Sequence, residues 1–488
     1  MEEEGQNRVN PSEIQASWAT EPLFYHAPYP HQMTPRPYQL AGAEYITARR
    51  NGLLGDEMGL GKTAQAIMVS NAIEAKRTLV VCPASLRLNW EREIWAWSTT
   101  ENVLTYPILK AKDGVSTQAH YVIISYDLLR NSGILAALMD LRWDHMILDE
   151  AHALKDVKGN ARTKVICAPD LLPSVVGRIT MASGTILPNQ PSEAYNAIRL
   201  LDWDAIDRAS LQDFRETYYA LGGGMVRSPV YDPKIGAMVS KVHWSEEVRN
   251  VPTNLADLQY RMRKHIMVRR LKQDVMKDLP AAQWRPFPLV MTAGIKSALA
   301  HPGWKTAEKL YEMDSLDTGV PIDGEVATAR RLLGEAKAPA VAEYIEELLL
   351  EGATKLVVSA WHSSVLLALR TKLQKHGLVY MDGATSATAR QNAVDSFQQD
   401  PKVKIILGQM QVIGTGWTLT AAQDCVLAEP DWVPGMNDQM LARIHRMGQA
   451  GSYVTGHVPV VPGTLDERIL GTAVNKGRNI FVALDKRG

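Results

Sequence analysis

The sequence predicts two α/β lobes, each built around a doubly wound parallel sheet. Short apolar runs alternate with helical stretches in two groups, and a segment at about residues 200–275 interrupts the alternation. Apolar runs of about four to eight residues between polar turns are typical of strands that are buried on both faces. The length of 488 residues also exceeds what one hydrophobic core supports. In such sheets we expect the chemistry at the carboxyl ends of the strands.

Composition and charge describe an ordinary globular protein. Hydrophobic residues make up 46% of the chain, and 53 Lys and Arg residues balance 53 Asp and Glu residues. Because this balance gives no overall basic field, a nucleic-acid site would need a local groove. Cys82, Cys167 and Cys425 have no metal-ligand spacing and indicate a reducing compartment. No apolar run suits a membrane span and the acidic start is unlike a secretory signal, so we expect a cytoplasmic protein without a membrane partner.

The chain opens with a region that has no regular period. Residues 1–30 are polar and then rich in proline and aromatic residues, and we expect a tail that packs against the first lobe. The first lobe is predicted to extend over residues 31–280. Its first helix is predicted from Pro37 to Arg50, where apolar residues recur at helical spacing and proline marks the start.

A glycine-rich turn follows the apolar pair Leu53-Leu54. It consists of Gly55, Asp56, Glu57, Met58, Gly59, Leu60, Gly61, Lys62 and Thr63. Such a turn presents backbone N–H groups and a helix N-terminus to a phosphate chain, while the lysine reaches the terminal phosphates and the threonine hydroxyl binds Mg²⁺. Asp56 replaces the first glycine of the strict motif, so Gly59 must provide the tight backbone. The turn predicts an ATP and Mg²⁺ site; a glycine-rich turn with a chance lysine is the alternative.

Four apolar runs then predict strands, at Thr78–Cys82, Tyr121–Ser125, His145–Leu148 and Ile179–Ala182. The third runs into Asp149-Glu150-Ala151-His152, where a parallel sheet places catalytic carboxylates. Asp149 can hold Mg²⁺ through water, and Glu150 can polarise the attacking water toward the γ-phosphate. A solvated acidic turn is the alternative.

These two motifs together resemble those of the Snf2 family of superfamily 2 helicase-type motors. The resemblance covers about residues 34–470 and implies two RecA-like lobes. Arg36-Pro37-Tyr38-Gln39 resembles the family's adenine-reading element, which implies that Tyr38 and Gln39 bind the nucleotide. Cys82–Leu86 with Asn89 and Trp90 resembles the next motif. Ser183-Gly184-Thr185 with Asn189 resembles the third, although Ile186 stands where the family usually has proline.

Residues from about 200 to 275 are predicted to form a helical insertion in the first lobe. A basic run, Arg261–Lys272, carries more charge than one solvated face needs, and we expect a helix that ends at Leu279-Pro280. The run resembles the segment that joins the two lobes of Snf2 motors. A solvent-exposed helix with ordinary salt bridges is the alternative. Within the insertion, Gly222–Gly224 predicts a flexible loop.

Strands resume in the second lobe, residues 281–488, which has no phosphate loop of its own. They are predicted at Leu356–Ser359, Val379–Met381, Val403–Leu407 and Cys425–Ala428. A single nucleotide between two lobes is how such motors couple hydrolysis to closure. The approach to this lobe, residues 334–345, resembles the annealing-helicase branch of the family.

The second lobe also contains Gln439–Gln449, a predicted helix on which Gln439, Arg443 and Arg446 would share one face. Resemblance to the family's last motif implies that Gln439 binds the nucleotide and that both arginines are arginine fingers, worth about 10³ to 10⁵ in rate in other phosphoryl-transfer systems. A surface helix with two solvated arginines is the alternative. Gly414–Thr420 resembles the motif that links nucleotide and DNA sites, with Trp417 either stacking on a sugar or base or buried.

The motifs predict ATP hydrolysis with ATP and Mg²⁺, and the resemblance implies a DNA-dependent ATPase that moves along double-stranded or branched DNA. Fork remodelling, branch migration and annealing all fit. The alternatives are a strand-separating DNA or RNA helicase and a nucleotide-switched DNA-binding scaffold. We expect a monomer with replication or recombination proteins as partners. A bare motor of this size resembles bacterial or phage motors, so we expect it at the nucleoid or in the host cytoplasm.

Overall fold

The structure, a computed structural model, describes the chain except for residues 1–10, 25, 156–159, 185–190, 222–223, 233–236, 246–248, 313–323, 415, 432–433, 463, 465–466 and 468–488. The described residues form two compact units. The first contains the described residues up to Leu211 and then Ala256–Leu279, and the second contains Gln212–Leu255 and the described residues from Pro280 to Glu467. We propose that residues 31–280 and residues 281–488 form the two functional lobes.

The first unit is built around a seven-stranded parallel sheet. Its first six strands are β1 (Asn51–Leu54), β2 (Thr78–Cys82), β3 (Thr105–Pro107), β4 (Tyr121–Ser125), β5 (Trp143–Asp149) and β6 (Val176–Ala182). The helices between and around them are α1 (Pro37–Thr47), α2 (Lys62–Ala72), α3 (Arg87–Trp97), α4 (Ser132–Met139), α5 (Ala161–Cys167) and α6 (Tyr195–Leu201). A 3₁₀ segment, Pro11–Trp18, precedes them.

The apolar runs of these strands are buried in the centre of the unit. Val80, Ile123 and Ile147, from three different strands, are fully buried and pack with residues of α1, α2 and α3. Burying each such side chain stabilises the fold by roughly 1.5–3 kcal/mol. The predicted strands of this lobe are confirmed, and the apolar runs are continuous because the sheet is covered on both faces.

The segment after α6 is mixed, not helical as predicted. It contains α7 (Leu211–Tyr218), β7 (Tyr219–Leu221), β8 (Gly224–Asp232), β9 (Ala237–Ser245), β10 (Arg249–Pro252) and α8 (Leu255–His265). β8 pairs with β9 and β7 with β10, both antiparallel. The residues of β8 and β9 are rich in Val, Tyr and Trp, which favour strands. Gly222 and Gly223 of the predicted loop lie outside the described residues, and Gly224 begins β8.

The basic run also differs from its prediction as one helix. After α8 ends at His265, residues Met267–Val268 form β11, which pairs with β1 at the sheet edge, and a short helix α9 (Lys272–Val275) follows. The sheet order is therefore β11-β1-β6-β5-β2-β4-β3. The helix stops because pairing with β1 satisfies the backbone of the next residues in an extended form.

The second unit is built around a six-stranded parallel sheet, which confirms the second α/β lobe. Its order is β12-β17-β16-β13-β15-β14. The strands are β12 (Ala282–Pro288), β13 (Leu356–Ala360), β14 (Leu378–Met381), β15 (Ile405–Gln409), β16 (Asp424–Leu427) and β17 (Val454–Val460). The helices are α10 (Ala293–Leu299), α11 (Gly303–Glu312), α12 (Gly324–Leu350), α13 (Ser363–Leu373), α14 (Ala387–Gln399), α15 (Met410–Ile413) and α16 (Pro434–Ile444). In the part of the chain that the structure describes, no helix combines the length and hydropathy that a bilayer span requires.

Candidate active site

The loop between β1 and α2 turns on two glycines. Gly59 has φ of 89° and Gly61 has φ of 71°. In this left-handed region a side chain is strained, whereas glycine is tolerated. Gly59 therefore allows the tight backbone that the sequence, lacking a glycine at Asp56, required. Gly61 stands directly before α2, so the helix N-terminus opens onto the loop.

Lys62, the first residue of α2, folds back onto this loop. Its Nζ donates to the carbonyl oxygens of Asp56 at 2.7 Å and Glu57 at 3.2 Å. Burial lowers the pKa of Lys62 to about 8, although the charges of Glu150, Asp56 and Asp149 act in the opposite direction. The ammonium is thus held among carboxylates and carbonyls, an environment in which a phosphate can replace the carbonyls as its partner.

The carboxylates of Asp56 and Glu57 are engaged by protein groups. Asp56 is fully buried and pairs with the guanidinium of Arg270, while Gln65 Nε2 donates to its Oδ2 at 2.9 Å. The backbone N–H of Lys272 donates to Glu57 Oε2 at 2.7 Å. Both are predicted nucleotide-binding residues, but their side chains hold the loop to the rest of the unit, and the Glu57 N–H donates to the Arg270 carbonyl at 3.0 Å.

The predicted adenine-reading element contacts the same loop. Gln39 is buried, with its Oε1 accepting from the Arg36 N–H at 2.8 Å and its Nε2 near the Leu60 carbonyl at 3.4 Å. Tyr38 is also buried, and this burial raises the pKa of its hydroxyl. The contact with Leu60 ties the position of Gln39 to that of the loop.

The remaining predicted loop residues have distinct environments. Met58 lies against Gly184, where a Cβ would approach the Met58 Cγ to 2.7 Å. Leu60 is fully buried and anchors the loop in the core. Thr63, the second residue of α2, is partly exposed. The loop therefore combines buried anchors with an accessible hydroxyl next to Lys62.

The two catalytic candidates lie at the end of β5. Asp149 is the last residue of the strand, and its Oδ2 accepts from Trp90 Nε1 at 2.7 Å while its Oδ1 accepts from the Glu150 N–H at 3.0 Å. Burial, reinforced by the neighbouring Glu150 charge, raises the pKa of Asp149. The two hydrogen bonds fix the orientation of this carboxylate.

Glu150 has a strained backbone. Its φ of 50° and ψ of 51° are left-handed, and such strain, of order 1–3 kcal/mol, clusters at functional sites. Its Oε2 lies 3.3 Å from His152 Nδ1, which in turn lies 3.5 Å from Ser183 Oγ. The His152 imidazole thus connects the Glu150 carboxylate with Ser183, directly after β6.

Sheet register brings these groups to one edge. Leu54 and Asp149 are each in register with Ala182, on the strand between them. The loop after β1, the pair Asp149-Glu150 after β5 and Ser183 after β6 therefore start at the same level. Both carboxylates are close enough for their charge to act on Lys62.

The donors at this edge fit Mg²⁺ and a nucleotide. Asp149 supplies a carboxylate and Thr63 a hydroxyl, and Mg²⁺ bound with a nucleotide is usually held by one or two such oxygens together with phosphates. The described residues contain no cluster of three or more His, Cys, Asp or Glu side chains that could hold a metal by themselves.

Several residues of this site were not assigned from the sequence. Tyr126 is buried and donates from its hydroxyl to the Asp149 carbonyl at 2.8 Å. Arg269 Nη1 donates to the carbonyls of Gly55 at 2.6 Å and Gly184 at 3.1 Å. Trp90 was noted only through the family motif. An aromatic residue directly after an apolar strand is a signal that could have found Tyr126, but nothing local marks the partners of Arg269.

In the second unit, Gln439 and Arg443 lie on a helix as predicted, but the prediction that Arg446 lies on the same helix is wrong. α16 ends at Ile444, because Gln449 Nε2 donates to the Ile444 carbonyl at 3.0 Å and caps the helix. Arg446 lies beyond this end, partly exposed, and its Nη1 donates to the Trp417 carbonyl at 2.9 Å and to Thr418 Oγ1 at 3.1 Å.

The other two residues of that group lie on the helix and are buried. Gln439 and Arg443 are about 5% and 4% exposed, and Arg443 Nε donates to the Gln439 carbonyl at 3.1 Å. Trp417 is also buried, with its Nε1 donating to the Val412 carbonyl at 3.0 Å. Of the two alternatives for Trp417, the structure has the buried one. The predicted motif residues Thr185, Ile186, Asn189 and Thr415 lie outside the described residues.

Comparison with known proteins assigns this chain to a family. The family model described as "SNF2-related domain" matches residues 38–319, and the model described as "Helicase conserved C-terminal domain" matches residues 340–448. Among solved structures, the SWI2/SNF2 ATPase core of Sulfolobus solfataricus in complex with dsDNA is 20% identical and covers 94% of this chain and 99% of that chain, with a TM-score of 0.43. That TM-score is too low to support a conclusion.

Two curated relatives illustrate the sequence similarity. The SWI/SNF-related matrix-associated actin-dependent regulator of chromatin subfamily A-like protein 1 of Bos taurus is 30% identical over 88% of this chain and 43% of its own length. The DNA annealing helicase and endonuclease ZRANB3 of Homo sapiens is 29% identical over 91% of this chain and 40% of its own length. The chain therefore spans about two fifths of these relatives. It belongs to the SNF2-related family and carries that family's helicase-like ATPase domains.

Proposed function

We propose that this protein is an ATP-driven translocase that moves along double-stranded or branched DNA. The observation that carries the proposal is that Lys62, Asp149 and Glu150 meet at one edge of the seven-stranded sheet, where the carboxylate charges act on Lys62, and that Thr63 follows Lys62 in α2. Fork remodelling, branch migration and strand annealing are the forms of movement we propose.

The proposed chemistry divides among the residues of this edge. The loop N–H groups and the N-terminus of α2 cradle the phosphates, and the Lys62 ammonium exchanges the Asp56 and Glu57 carbonyls for phosphate oxygens. Thr63 and Asp149 hold Mg²⁺, which supplies charge neutralisation when bound. Glu150 orients the attacking water and accepts its proton.

The proposed arginine fingers are Arg443 and Arg446, with Gln439 as a nucleotide contact. Arg446 is partly exposed, and its Nη1 donates to the Trp417 carbonyl and to Thr418 Oγ1. Such neutral acceptors can be exchanged for phosphate oxygens, because a charge-assisted bond to phosphate is stronger. Arg443 is buried, and its Nε donates to the Gln439 carbonyl of the same helix.

The DNA substrate is proposed from family membership. One curated relative is named a DNA annealing helicase and endonuclease, and its similarity to this protein extends over 91% of this chain. A monomer, a location at the nucleoid or in a host cytoplasm, and replication or recombination partners complete the proposal. A motor that grips phosphates reads little sequence, so activity should depend on duplex length and branching more than on base composition.

The test combines two measurements. ATPase rates are compared with single-stranded, duplex, forked and four-way DNA and with RNA, and displacement of a third strand from a triplex is run beside unwinding of a tailed duplex. ATP-dependent triplex displacement or junction migration that is lost in Glu150→Gln supports the translocase. Unwinding of the tailed duplex without triplex displacement would establish the strand-separating helicase, and nucleotide binding with no movement on any substrate would establish the switched scaffold.

A further inference from the structure

The edge strand β11 continues along the nucleotide loop beyond the end of β1. The N–H groups of Leu53, Gly55 and Glu57 donate to the carbonyls of Ile266, Val268 and Arg270 at 2.7, 2.8 and 3.0 Å. Bonds that recur at every second residue are the pattern of a parallel ladder. The pairing therefore runs one step past both strands, so Glu57 of the nucleotide loop is held by the backbone of the basic run.

Side chains reinforce this pairing at Asp56. The Arg270 N–H donates to Asp56 Oδ1 at 2.9 Å, and its guanidinium pairs with Asp56 Oδ2 and donates to Gln65 Oε1 at 3.0 Å. Both members of the ion pair are at most 1% exposed. Gly42 leaves the space for them, since a Cβ there would lie 2.6 Å from Arg270 Nη2. A buried pair with this many hydrogen bonds holds one geometry, because losing either partner leaves a buried charge.

A second ion pair lies at the far end of the same stretch. Glu57 Oε2 accepts from the Lys272 N–H at 2.7 Å, and Glu57 Oε1 lies 3.4 Å from Lys272 Nζ. Lys272 is about 6% exposed and Glu57 about 33%. This pair is more accessible than the one at Asp56, so substitutions here disturb the core less.

The same two loop residues also contact the phosphate-binding lysine. Lys62 Nζ donates to the carbonyls of Asp56 and Glu57, whose side chains are held by Arg270 and Lys272. When a phosphate binds the Lys62 ammonium, the carbonyls of Asp56 and Glu57 lose their donor. A movement of the loop backbone at these two residues would change the geometry of both ion pairs, because the paired carboxylates belong to the same residues. Residues 267–272, which we call the strap, are thus linked to the occupancy of the loop.

We propose that the strap positions the nucleotide loop and transmits its state toward the second unit. The inference rests on the nucleotide site proposed above. Lys272 begins α9, and the chain enters the second unit at Pro280, shortly after this helix. Arg270, Lys272 and Glu57 are positioning residues in this scheme, because they act on the phosphates only through the loop.

A double-mutant cycle on the accessible pair tests the positioning role. Glu57→Gln, Lys272→Met and the double variant are titrated with ADP. We expect each single change to weaken ADP binding about threefold to tenfold, and the double variant to be no weaker than the worse single one, because the two side chains contribute one shared interaction. Glu346→Gln with Lys375→Met, a more exposed Glu–Lys pair of 2.8 Å in the second unit, is the control for loss of an ion pair away from the loop and should bind ADP as the wild type does.

Hydrogen exchange tests the transmission. In the wild type, ADP should slow exchange both in residues 55–66 and in residues 268–276, whereas in the double variant the slowing should be confined to residues 55–66. Protection limited to residues 55–66 in the wild type would overturn the transmission. Variants that melt earlier but keep full ADP affinity would show that the strap only stabilises the fold.

Lys62→Ala separates this inference from the site on which it rests. If Lys62→Ala loses ADP affinity while the Glu57 and Lys272 variants keep it, the strap is wrong and the nucleotide site stands. If Lys62→Ala also binds ADP normally, the nucleotide site itself is wrong.

Discussion

At the residue scale, we propose separate tasks for Lys62 and Glu150. Lys62 lies among loop carbonyls and is placed to bind phosphate, whereas Glu150 lies at the end of β5 next to Asp149. We expect Lys62→Ala to weaken ATP binding, and Glu150→Gln to keep binding but abolish turnover. Nucleotide titration and single-turnover hydrolysis measure the two effects. Equal ATP affinity in the wild type and Lys62→Ala would contradict the phosphate role.

Trp90 is the residue that orients Asp149. Trp90→Phe keeps most of the buried ring but removes the N–H that Asp149 Oδ2 accepts, a loss of about 1–3 kcal/mol of interaction. We expect the Mg²⁺ concentration for half-maximal ATPase activity to rise several-fold, and the melting temperature to fall.

Trp143→Phe is the matched control for this change. Trp143 is equally buried, but its Nε1 donates to the Leu138 carbonyl at 3.0 Å, at the opposite end of β5. This variant should lose stability without altering the Mg²⁺ requirement. A shift of equal size in both variants would mean that Trp90 acts through general stability.

The two proposed arginine fingers should respond differently. Arg446 is partly exposed and bonded to a carbonyl and a hydroxyl, so Arg446→Ala should cut DNA-stimulated turnover by about 10³-fold or more with little change in stability or DNA affinity. Arg443 is buried, so Arg443→Ala should lower both turnover and melting temperature. Near wild-type turnover at saturating DNA in either variant would remove that residue from the finger assignment.

At the element scale, a buried histidine joins α2, β5 and β6. His145 Nδ1 and Nε2 lie 2.7 Å from Ser70 Oγ and 2.8 Å from Thr180 Oγ1. Burial, with a smaller contribution from the Arg178 charge, lowers the pKa of His145 to about 3. The helix that follows the candidate nucleotide loop and the strand that ends at Asp149 are thus linked through a neutral imidazole.

This histidine predicts acid sensitivity of the first unit. Because its pKa is lowered on folding, the unfolded chain takes up a proton below about pH 6.5 while the folded chain does not, and stability falls as pH falls. From that single group we expect a loss of roughly 2–3 kcal/mol between pH 6.5 and 4.5. Denaturant unfolding at several pH values measures it. His145→Gln should flatten this part of the profile, and an unchanged slope would contradict the assignment.

At the scale of the whole molecule, the zero formal net charge does not exclude strong DNA binding. A groove that gathers Lys and Arg residues locally would release counterions from the duplex, with a slope of about −0.9 in log K against log salt for each phosphate neutralised. We therefore expect duplex affinity to fall steeply with salt, measured by equilibrium binding at several salt concentrations. A flat response would remove the groove from the proposal.

The sequence by itself determined the elements whose signals are local. Buried parallel strands leave continuous apolar runs such as Tyr121–Ser125, and a phosphate loop needs glycine where φ is positive, as at Gly59 and Gly61. The two α/β lobes and the candidate residues Lys62, Asp149 and Glu150 followed from such signals, because the residues that create each signal are neighbours in the chain.

Only the tertiary structure decided how distant residues combine. The basic run was predicted as one helix, but Met267–Val268 forms an edge strand and Arg269 and Arg270 are buried. The sequence did not indicate this outcome, because the partners of both arginines lie 214 positions earlier, in the nucleotide loop. Trp90 meets Asp149 across 59 positions for the same reason. Arg446 does not lie on the helical face, because α16 ends at Ile444, whose carbonyl accepts from the Gln449 side chain. Charge, burial and hydrogen-bond partners in these cases depend on packing between segments, which no local pattern specifies.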